Sequence, residues 1–424
     1  MTTIAAVAAW EALDSRGKPT VAVAVTLDDG SRATALAPSG ASAGSHEARE
    51  LRDGGHRYRG AGVRQAVNHV IDRIAPRVVG ADADEPADID ALLVTLDPRA
   101  DLGDLGANAV LAVSLATWRA VARRRGSLAR LLQPEGALLL PMPMVNVVSG
   151  GAHAGRLIDI QDVLVIPNGA PDFATALEWA SRVRAEAAVL AQEHGYETAV
   201  LVADEGGLGL PLPGNRAALQ LVADAIERAG LEPGRDASIA LDLAATQLVR
   251  DGLYELAGEG RRLDSAALVA EVAEWADAFP ILSVEDLLGE DDWEGWSLAT
   301  ATLGDRVRLV GDDLFVTDPR RVERGILDRA ANAVLIKVNQ SGTVSGAFAA
   351  LTRARAAGWD TIVSARSGDT EQSWLADLAV GWSAGQIKVG STHRSERTAK
   401  WNRLLELEAT EKTVFARSPM GVRR

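Results

Sequence analysis

Six ionisable residues follow short runs that are rich in β-branched residues, and their types could form a metal site with bases beside it. Each run ends in one such residue and is followed by sequence of helical character. The intervals between these residues are 43, 27, 25, 29 and 22, and most match one βα unit. Polar residues commonly follow strands, but six in register favour a common site. They are Asp242, Glu285, Asp312, Lys337, Arg366 and Lys388.

The three carboxylates of this set predict a site for a hard divalent cation. Asp242, Glu285 and Asp312 would offer oxygen ligands with no histidine or cysteine among them, which suits Mg²⁺ or Mn²⁺ better than zinc. The alternative is a structural ion-pair network with Lys337 and Lys388. Beside a bound cation the two lysines would have depressed pKa values, so that one could act as a neutral general base.

Two further segments carry weaker signals. Residues 39–44, Ser-Gly-Ala-Ser-Ala-Gly, form a small-residue loop that lacks the lysine of a phosphate-binding loop and could equally be a flexible connector. Residues 204–207, Asp-Glu-Gly-Gly, place a carboxylate before two glycines. That pattern fits a catalytic acid on a tight turn or a turn without other function.

Composition excludes several classes of protein. The chain has 424 residues, a formal net charge of −14 and no cysteine, which argues against a nucleic-acid surface and excludes thiolate chemistry and disulfides. The N-terminal sequence lacks the basic region of a signal peptide, and no apolar run is long enough to span a membrane. The sequence therefore predicts a cytoplasmic protein that binds neither nucleic acid nor membrane.

The elements that position these residues predict an α/β fold in two parts. Residues 21–27 read as a strand, and helices are predicted at about 62–78, 86–96 and 106–125. Residues 1–130 are interpreted as an α+β domain and residues 131–424 as a (β/α) barrel, which would carry its active site at the C-terminal ends of its strands. The tail after about residue 412 shows no clear pattern.

Several segments in their order along the chain are similar to enolase, phosphopyruvate hydratase. Among them are LDSRGKPTVAVAV, PSGASAGSHEARELRDG, LGANAVLAVSLA, GGAHAG, DEGG, LIKVNQ, RSGDTEQSWLADLAVG and RSERTAKWN. The resemblance runs from about residue 10 to 408. It implies an N-terminal α+β capping domain followed by an enolase-type (β/α)₈ barrel, and a hydro-lyase that removes water from a 2-phosphoglycerate-like acid.

The resemblance also implies the metal ligands and the bases. Asp242, Glu285 and Asp312 would hold one Mg²⁺, and Ser42 would help to hold a second. Lys337 would take the proton from C2 of the substrate. Lys388 would neutralise the substrate carboxylate, since the enolate that forms at C2 is costly without nearby positive charge.

The remaining implied residues surround the leaving hydroxyl and the phosphoryl group. Glu205 would protonate the hydroxyl at C3 with Asp162 as its partner. Arg366 and Ser367 would bind the phosphoryl group, the arginine through its planar fork. The family resemblance further assigns substrate contacts to His153 and Gln161.

The chain departs from the family pattern beside several of these positions. Ala365 replaces a histidine, Asp162 replaces a glutamate that is longer by one methylene, and Arg156 stands where the family usually has asparagine. These changes surround the leaving hydroxyl and the pocket wall. The metal ligands, both lysines and the phosphoryl clamp, which is Arg366 with Ser367, are retained. Proton abstraction at C2 is therefore expected to survive, and the identity of the substrate is the open question.

Three functions follow from this pattern. The first is an enolase-like dehydratase with an altered substrate, for which a phosphonate is preferred, as in the formation of carboxyphosphonoenolpyruvate. Ala365 would make room beside Arg366 for a carboxylate on phosphorus, and Arg156 could pair with the added charge or be a solvated loop residue. The alternatives are an ordinary enolase acting on 2-phosphoglycerate and a non-catalytic binding protein. The expected partners are a small phosphorylated or phosphonylated acid and a second copy of the chain in a homodimer or higher homo-oligomer.

Overall fold

The first part of the chain folds as a three-stranded antiparallel sheet covered by helices. A computed structural model describes residues 2–41 and 44–417. The central strand reads PTVAVAVTL and is buried along almost its whole length, with a strand paired on each edge and helices packed against the sheet. Gly30, at φ +84°, closes the turn to the third strand. The strands are β1 (Ile4–Leu13), β2 (Pro19–Leu27) and β3 (Arg32–Leu36).

The predicted helices of this part are present, and one of them is interrupted. A π-helical turn at Val70–Ile74 breaks the helix expected at 62–78. Pro76 follows directly and has no amide hydrogen for the helical ladder, which accounts for the change in hydrogen bonding. The helices are α1 (Arg64–His69), α2 (Ala75–Val78), α3 (Pro86–Leu96), α4 (Ala107–Ala122) and α5 (Leu128–Leu132).

The second part is a closed barrel of eight strands. A two-stranded pair, β4 (Leu138–Leu140) with β17 (Thr413–Phe415), lies outside it. Seven of the eight barrel strands are mutually parallel, and β6 runs antiparallel to β5 and β8. Pairing of Gln386 with Met142 closes the ring between its last and first strands. In spatial order the barrel strands are β5 (Met142–Ser149), β6 (Asp162–Ile166), β8 (Ser238–Asp242), β12 (Ile281–Glu285), β13 (Arg308–Gly311), β14 (Ala333–Ile336), β15 (Asp360–Ser364) and β16 (Gln386–Gly390).

Helices and short strands connect the barrel strands. The outer helices bury apolar stripes against the barrel wall. The helices are α6 (Phe173–Glu193), α7 (Asn215–Arg228), α8 (Ser265–Ala278), α9 (Trp293–Leu303), α10 (Pro319–Asp328), α11 (Val338–Ser341), α12 (Val344–Ala356), α13 (Trp374–Gly381) and α14 (Ser395–Thr410). The short strands are β7 (Leu208–Gly209), β9 (Val249–Arg250), β10 (Leu253–Leu256) and β11 (Arg261–Leu263).

The barrel rhythm that the sequence predicted is confirmed, within one or two residues, for six strands. The runs that end at Asp242 and Glu285 match their strands to the residue. The sequence analysis did not predict strands β1, β5 and β6, and the tail forms β17 where no pattern was visible. Lys388 lies within its strand rather than at the end, because β16 continues to Gly390.

Apolar side chains fill the barrel interior below the polar site. Phe415 of β17 packs against this inner core. The filled lower barrel leaves the C-terminal strand ends as the place where polar groups can gather. The inner core consists of Met142, Met144, Leu164, Ile166, Ala240, Leu282, Val310, Ala333, Leu335 and Ile362.

Within residues 2–41 and 44–417, no helix combines the length and apolar character that crossing a bilayer requires.

Candidate active site

Strand register brings three carboxylates together at one end of the barrel. Asp242 is directly paired with Glu285 on one side and with Asp162 on the other. All three are buried. Oε1 of Glu285 has no hydrogen-bond partner among the described residues, although its residue is only 1% exposed. Buried polar atoms are rarely left unpaired, so this oxygen fits the role of a metal ligand.

The two lysines lie against these carboxylates. Nζ of Lys388 donates to Oδ2 of Asp242 and to Oε2 of Glu285, both at 2.7 Å. Nζ of Lys337 donates to Oδ2 of Asp312. The ammonium groups therefore contact the oxygens that were predicted to hold a cation.

The carboxylates that face the two lysines raise the pKa values of both. Burial lowers the pKa of Lys337, but the Asp312 carboxylate outweighs burial and raises it above its ordinary value. The pKa of Lys388 is raised further by Asp242 and Glu285, again against the effect of burial. The depressed values expected beside a bound cation stay a prediction.

A second acidic group adjoins the first. Ligand oxygens of Asp286, Asp312 and Asp313 lie within 4.8 Å of one another. The Asp286 carboxylate accepts hydrogen bonds from the backbone N–H groups of residues 312 and 313, each at 2.9 Å. These bonds fix the turn that follows β13. Burial and mutual repulsion raise the pKa of Asp286 well above its usual range and that of Asp313 to about 7. A divalent cation would relieve this repulsion, so the donor set fits the predicted metal. The predicted ligand Ser42 lies outside the described residues.

On the other side of the barrel mouth, a histidine stands between two buried carboxyl groups. Nδ1 of His153 lies 2.8 Å from Oδ2 of Asp162, and its Nε2 lies 3.8 Å from Oε1 of Glu205. Burial would lower the pKa of His153, but the two carboxylates raise it to about 9. His153 thus connects Asp162 and Glu205, the pair that the sequence analysis expected to act together.

Asp162 is held firmly despite its short side chain. It receives hydrogen bonds from Asn146 and, at 3.1 Å, from Ser149 Oγ. Burial raises its pKa, and His153 partly offsets that effect. Burial also raises the pKa of Glu205, but the nearby cations His153, Arg397, Lys388 and Lys337 make the net change a decrease.

The pocket wall beyond Asp242 contains Gln161. Its Nε2 donates to Asp242 Oδ2 at 3.1 Å, and its Oε1 accepts from Gln247 at 3.1 Å. Arg156 is exposed, adopts φ +59° and lines a cavity of about 40 Å³ beside Gln161. Its guanidinium makes no hydrogen bond or ion pair within the described ranges. Arg156 therefore lies at the pocket wall without a bonded partner among those residues.

The predicted phosphoryl clamp is buried and already has an anionic partner. Nη1 of Arg366 donates to Glu47 Oε2 and to Asn339 Oδ1, both at 3.1 Å. Oγ of Ser367 accepts from the backbone N–H of Ala41 at 2.6 Å and from Arg16 at 3.4 Å. The sequence analysis did not single out Glu47, Asn339 or Arg16. An acidic residue just after the small-residue loop was the available signal for Glu47.

A buried arginine braces the loop that carries the clamp. Arg397 donates to the carbonyl oxygens of Arg366 at 2.7 Å, Ser367 at 2.6 Å and Val389 at 3.0 Å. One guanidinium therefore fixes the backbone of both clamp residues and of the residue just beyond Lys388. The sequence analysis cited its segment, RSERTAKWN, only as part of the family resemblance.

Backbone strain accompanies the strand ends. Ala244 and Asp286, directly beyond the Asp242 and Glu285 strands, have φ values of +48° and +44°. Val316 and Thr317 are β-branched and also lie at positive φ, +43° and +54°. Such conformations cost about 1–3 kcal/mol each and cluster at functional sites. Here they turn the chain sharply after the carboxylate-bearing strands.

Glu47 is expected to compete with an incoming anion for Arg366. Glu47→Gln should strengthen inhibition by inorganic phosphate about three- to tenfold, because a charge-assisted bond to the guanidinium is lost in the free protein. Inhibition constants at fixed ionic strength measure this. Asp291→Asn is the matched control, since Asp291 pairs with His46 and Arg321 in the same region. Equal inhibition constants for wild type and Glu47→Gln would contradict the competition.

The fold is that of a barrel enzyme, and the buried carboxylates, the lysines and the histidine at its mouth could hold a cation and carry acid–base chemistry. Comparison with known proteins agrees with that class. The family model described as "Enolase, N-terminal domain" matches residues 4–130, and "Enolase, C-terminal TIM barrel domain" matches residues 137–418. A protein of Mycobacteroides abscessus named enolase is 49% identical over 407 residues, covering 95% of this chain and 94% of that protein.

The chain belongs to the enolase family. It is an enolase-like carbon–oxygen lyase of the hydro-lyase type, which confirms the family, the fold class and the enzyme class that the sequence predicted.

Proposed function

We propose that the protein dehydrates 2-phosphoglycerate to phosphoenolpyruvate with Mg²⁺. The observation that carries the proposal is the placement of Lys337, Lys388 and Glu205 around one set of buried carboxylates. The similarity to a protein named enolase along almost the whole chain favours this substrate over the phosphonate that the sequence analysis preferred.

Two lysines would carry the first half of the reaction. Lys337 would accept the C2 proton of the substrate, and Lys388 would stabilise the negative charge that forms on its carboxylate. Asp242, Glu285 and Asp312 would hold the first Mg²⁺, and Ser42 remains the predicted contact of a second. When bound, Mg²⁺ would supply positive charge that stabilises the enolate.

The second half requires a proton at the leaving hydroxyl. Glu205 would donate it to the C3 oxygen, so that water leaves and the C2–C3 double bond forms. Nearby cations hold the pKa of Glu205 low, and an anionic substrate beside it would raise that pKa. His153 and Asp162 would position Glu205, with Gln161 beside Asp242 at the wall.

Arg366 and Ser367 would bind the phosphoryl group after Glu47 leaves the guanidinium. Asn339 and Arg397 would keep Arg366 in place. Arg156 would contact only a substrate that extends to the pocket wall.

A second candidate substrate is the phosphonate analogue in which a carboxylate replaces one phosphate oxygen. Ala365 favours it, because this buried residue directly precedes Arg366 and carries only a methyl group. Its backbone N–H donates to the Lys388 carbonyl at 2.9 Å, so the residue lies between the strand that carries Lys388 and the Arg366–Ser367 clamp. Arg156 would then be the counter-ion for the added charge.

Turnover of 2-phosphoglycerate tests the proposal. We expect it to exceed turnover of the glycerate ester of phosphonoformate at least tenfold. Ala365→His should reduce any phosphonate turnover further, because the imidazole would fill the space beside Arg366. Formation of the enol products is measured by absorbance and ³¹P NMR. Turnover of the phosphonate alone would replace the proposal with the second candidate, and turnover of neither would contradict both.

Substrate binding is expected to weaken above pH 9. His153 has a pKa of about 9, above its ordinary 6.5, so it is protonated below that pH and loses its charge above it. The substrate is fully ionised throughout, so KM should rise several-fold as pH passes through about 9. In His153→Gln this rise should disappear. The pH profile of kcat/KM measures it, and an identical profile in the variant would contradict the assignment.

We propose that the capping domain ends near residue 130, that the chain forms a homodimer or higher homo-oligomer, and that it acts in the cytoplasm.

A further inference from the structure

A cleft of about 300 Å³ lies between the N-terminal sheet and helices and the outer helices of the barrel. The end of α4 and the start of α5 line one side. The first turn of α13 and the middle of α14 line the other. None of the active-site residues discussed above lines it, so it is a separate feature of the molecule.

Three arginines and two carboxylates line the cleft, and two of the arginines make no hydrogen bond or ion pair to a carboxylate in the part of the chain that the structure describes. Arg403 is already paired, because it donates to Asp377 at 2.8 and 3.0 Å and to Glu406 at 2.9 Å. Arg119 donates to the Thr34 carbonyl, its one hydrogen bond within the described ranges. Arg123 is exposed, and in the same ranges its guanidinium has no hydrogen bond or ion pair.

A buried donor adds to these cations. Trp374 is 4% exposed and lines the cleft, yet its Nε1–H has no hydrogen-bond partner in the part of the chain that the structure describes. Buried donors without partners are rare in folded proteins. Trp374 is also the first residue of α13, whose N-cap Ser373 gives no side-chain hydrogen bond. A helix start favours an anion, and the carboxylate already in its first turn, Asp377, is bound by Arg403.

We propose that this cleft binds a phosphate group, either free phosphate or a small phosphomonoester. Two guanidinium groups match the two negative charges of a phosphate, and the indole N–H offers a further donor to one of its oxygens. A cation is a poor match, because the two carboxylates of the cleft are engaged by Arg403. The volume exceeds that of phosphate alone and leaves room for a small organic group.

Further support comes from Arg119, whose pKa is lowered by burial. The Asp377 carboxylate opposes this effect but does not cancel it, and a bound anion would offset the cost of burial further.

Residue-resolved NMR tests the proposal in the full-length protein. Protein labelled with ¹⁵N-tryptophan is titrated with inorganic phosphate and, separately, with glycerol 1-phosphate, at constant ionic strength. Trp374→Phe assigns the Nε1–H signal of Trp374. We expect a saturable shift of this signal, and the tighter of the two ligands identifies the free or the esterified form.

Two arginine variants just beyond the C-terminal end of α4 test whether the shift reports binding in the cleft. Arg123→Ala should weaken the binding seen at Trp374 about tenfold, since one charge-assisted bond is lost. Arg125→Ala removes the same charge nearby and, because Arg125 does not line the cleft, should leave the titration unchanged. If phosphate bound at the active site caused the Trp374 shift indirectly, the shift would be unchanged in Arg123→Ala. Absence of a Trp374 shift, or an identical curve in Arg123→Ala, overturns the proposal.

Discussion

Lys337→Ala is expected to lower turnover about 10²- to 10⁴-fold and to stop exchange of the substrate C2 proton with solvent deuterium. The structure places the Lys337 amine on Asp312, at the edge of the carboxylate group. The substitution would remove the proposed base and should leave the fold intact, because the side chain is partly exposed at the barrel mouth. Proton NMR in deuterium oxide follows the exchange directly.

Glu205→Gln separates the two halves of the reaction. It should block dehydration and still permit C2 exchange, because the amide cannot give a proton to the leaving hydroxyl. Lys412→Ala, which changes an exposed lysine on the tail, should leave both rates unchanged. Exchange at the wild-type rate in Lys337→Ala would show that another group takes the proton.

Removal of the divalent cation is expected to have the second large effect. Loss of the positive charge beside the enolate would cost several kcal/mol, a factor of about 10³ or more in rate. Excess chelator should therefore abolish turnover, and added Mg²⁺ should restore it. Full activity in chelator would contradict the proposed metal role.

Glu285→Gln gives a second measure that does not depend on activity. Burial and repulsion from Asp242 raise the pKa of Glu285 well above its ordinary value, although Lys388 opposes them. A raised carboxyl pKa means that stability falls as pH rises from the unfolded toward the folded pKa, and the loss persists above it. The neutral amide should therefore leave the metal-free protein at least as stable at neutral pH.

Thermal unfolding with and without Mg²⁺ completes this test. The wild type should gain stability on adding Mg²⁺, and Glu285→Gln should lose that gain. Glu271→Gln, on an outer helix where Glu271 pairs with Arg261, is the control and should keep it. An unchanged Mg²⁺ response in Glu285→Gln would exclude Glu285 as a ligand.

The fold was predictable from sequence where a β-rich run was followed directly by an ionisable residue that marked its end. The SIALD and ILSVE runs ended at the carboxylates because the strands end where the chain must turn. Strands β5 and β6 escaped prediction. β5 is buried along its full length and begins beside prolines, and β6 is antiparallel to its neighbours. Neither strand therefore follows the repeating pattern of strand and helix.

The site was predictable as a set of residue types but not as a set of contacts. The sequence placed Lys388 and Glu285 in the same site, yet only the register shows the lysine between two carboxylates. The Glu47–Arg366 pair joins residues 319 positions apart, and no local pattern reveals such a partner. The charge of His153 likewise depends on Asp162 and Glu205, which lie in separate segments.

Closure of the barrel between β5 and β16 has a consequence for how the protein folds during synthesis. The ring cannot close until residues 386–390 have left the ribosome, because β16 pairs with both β15 and β5. Contacts between segments this distant in sequence form slowly, and chains that wait for them expose apolar edges. β16 also carries the lysine that neutralises Asp242 and Glu285. We expect nascent chains that end before β16 to keep these carboxylates hydrated and the barrel open, and to depend on chaperones until the last strand emerges.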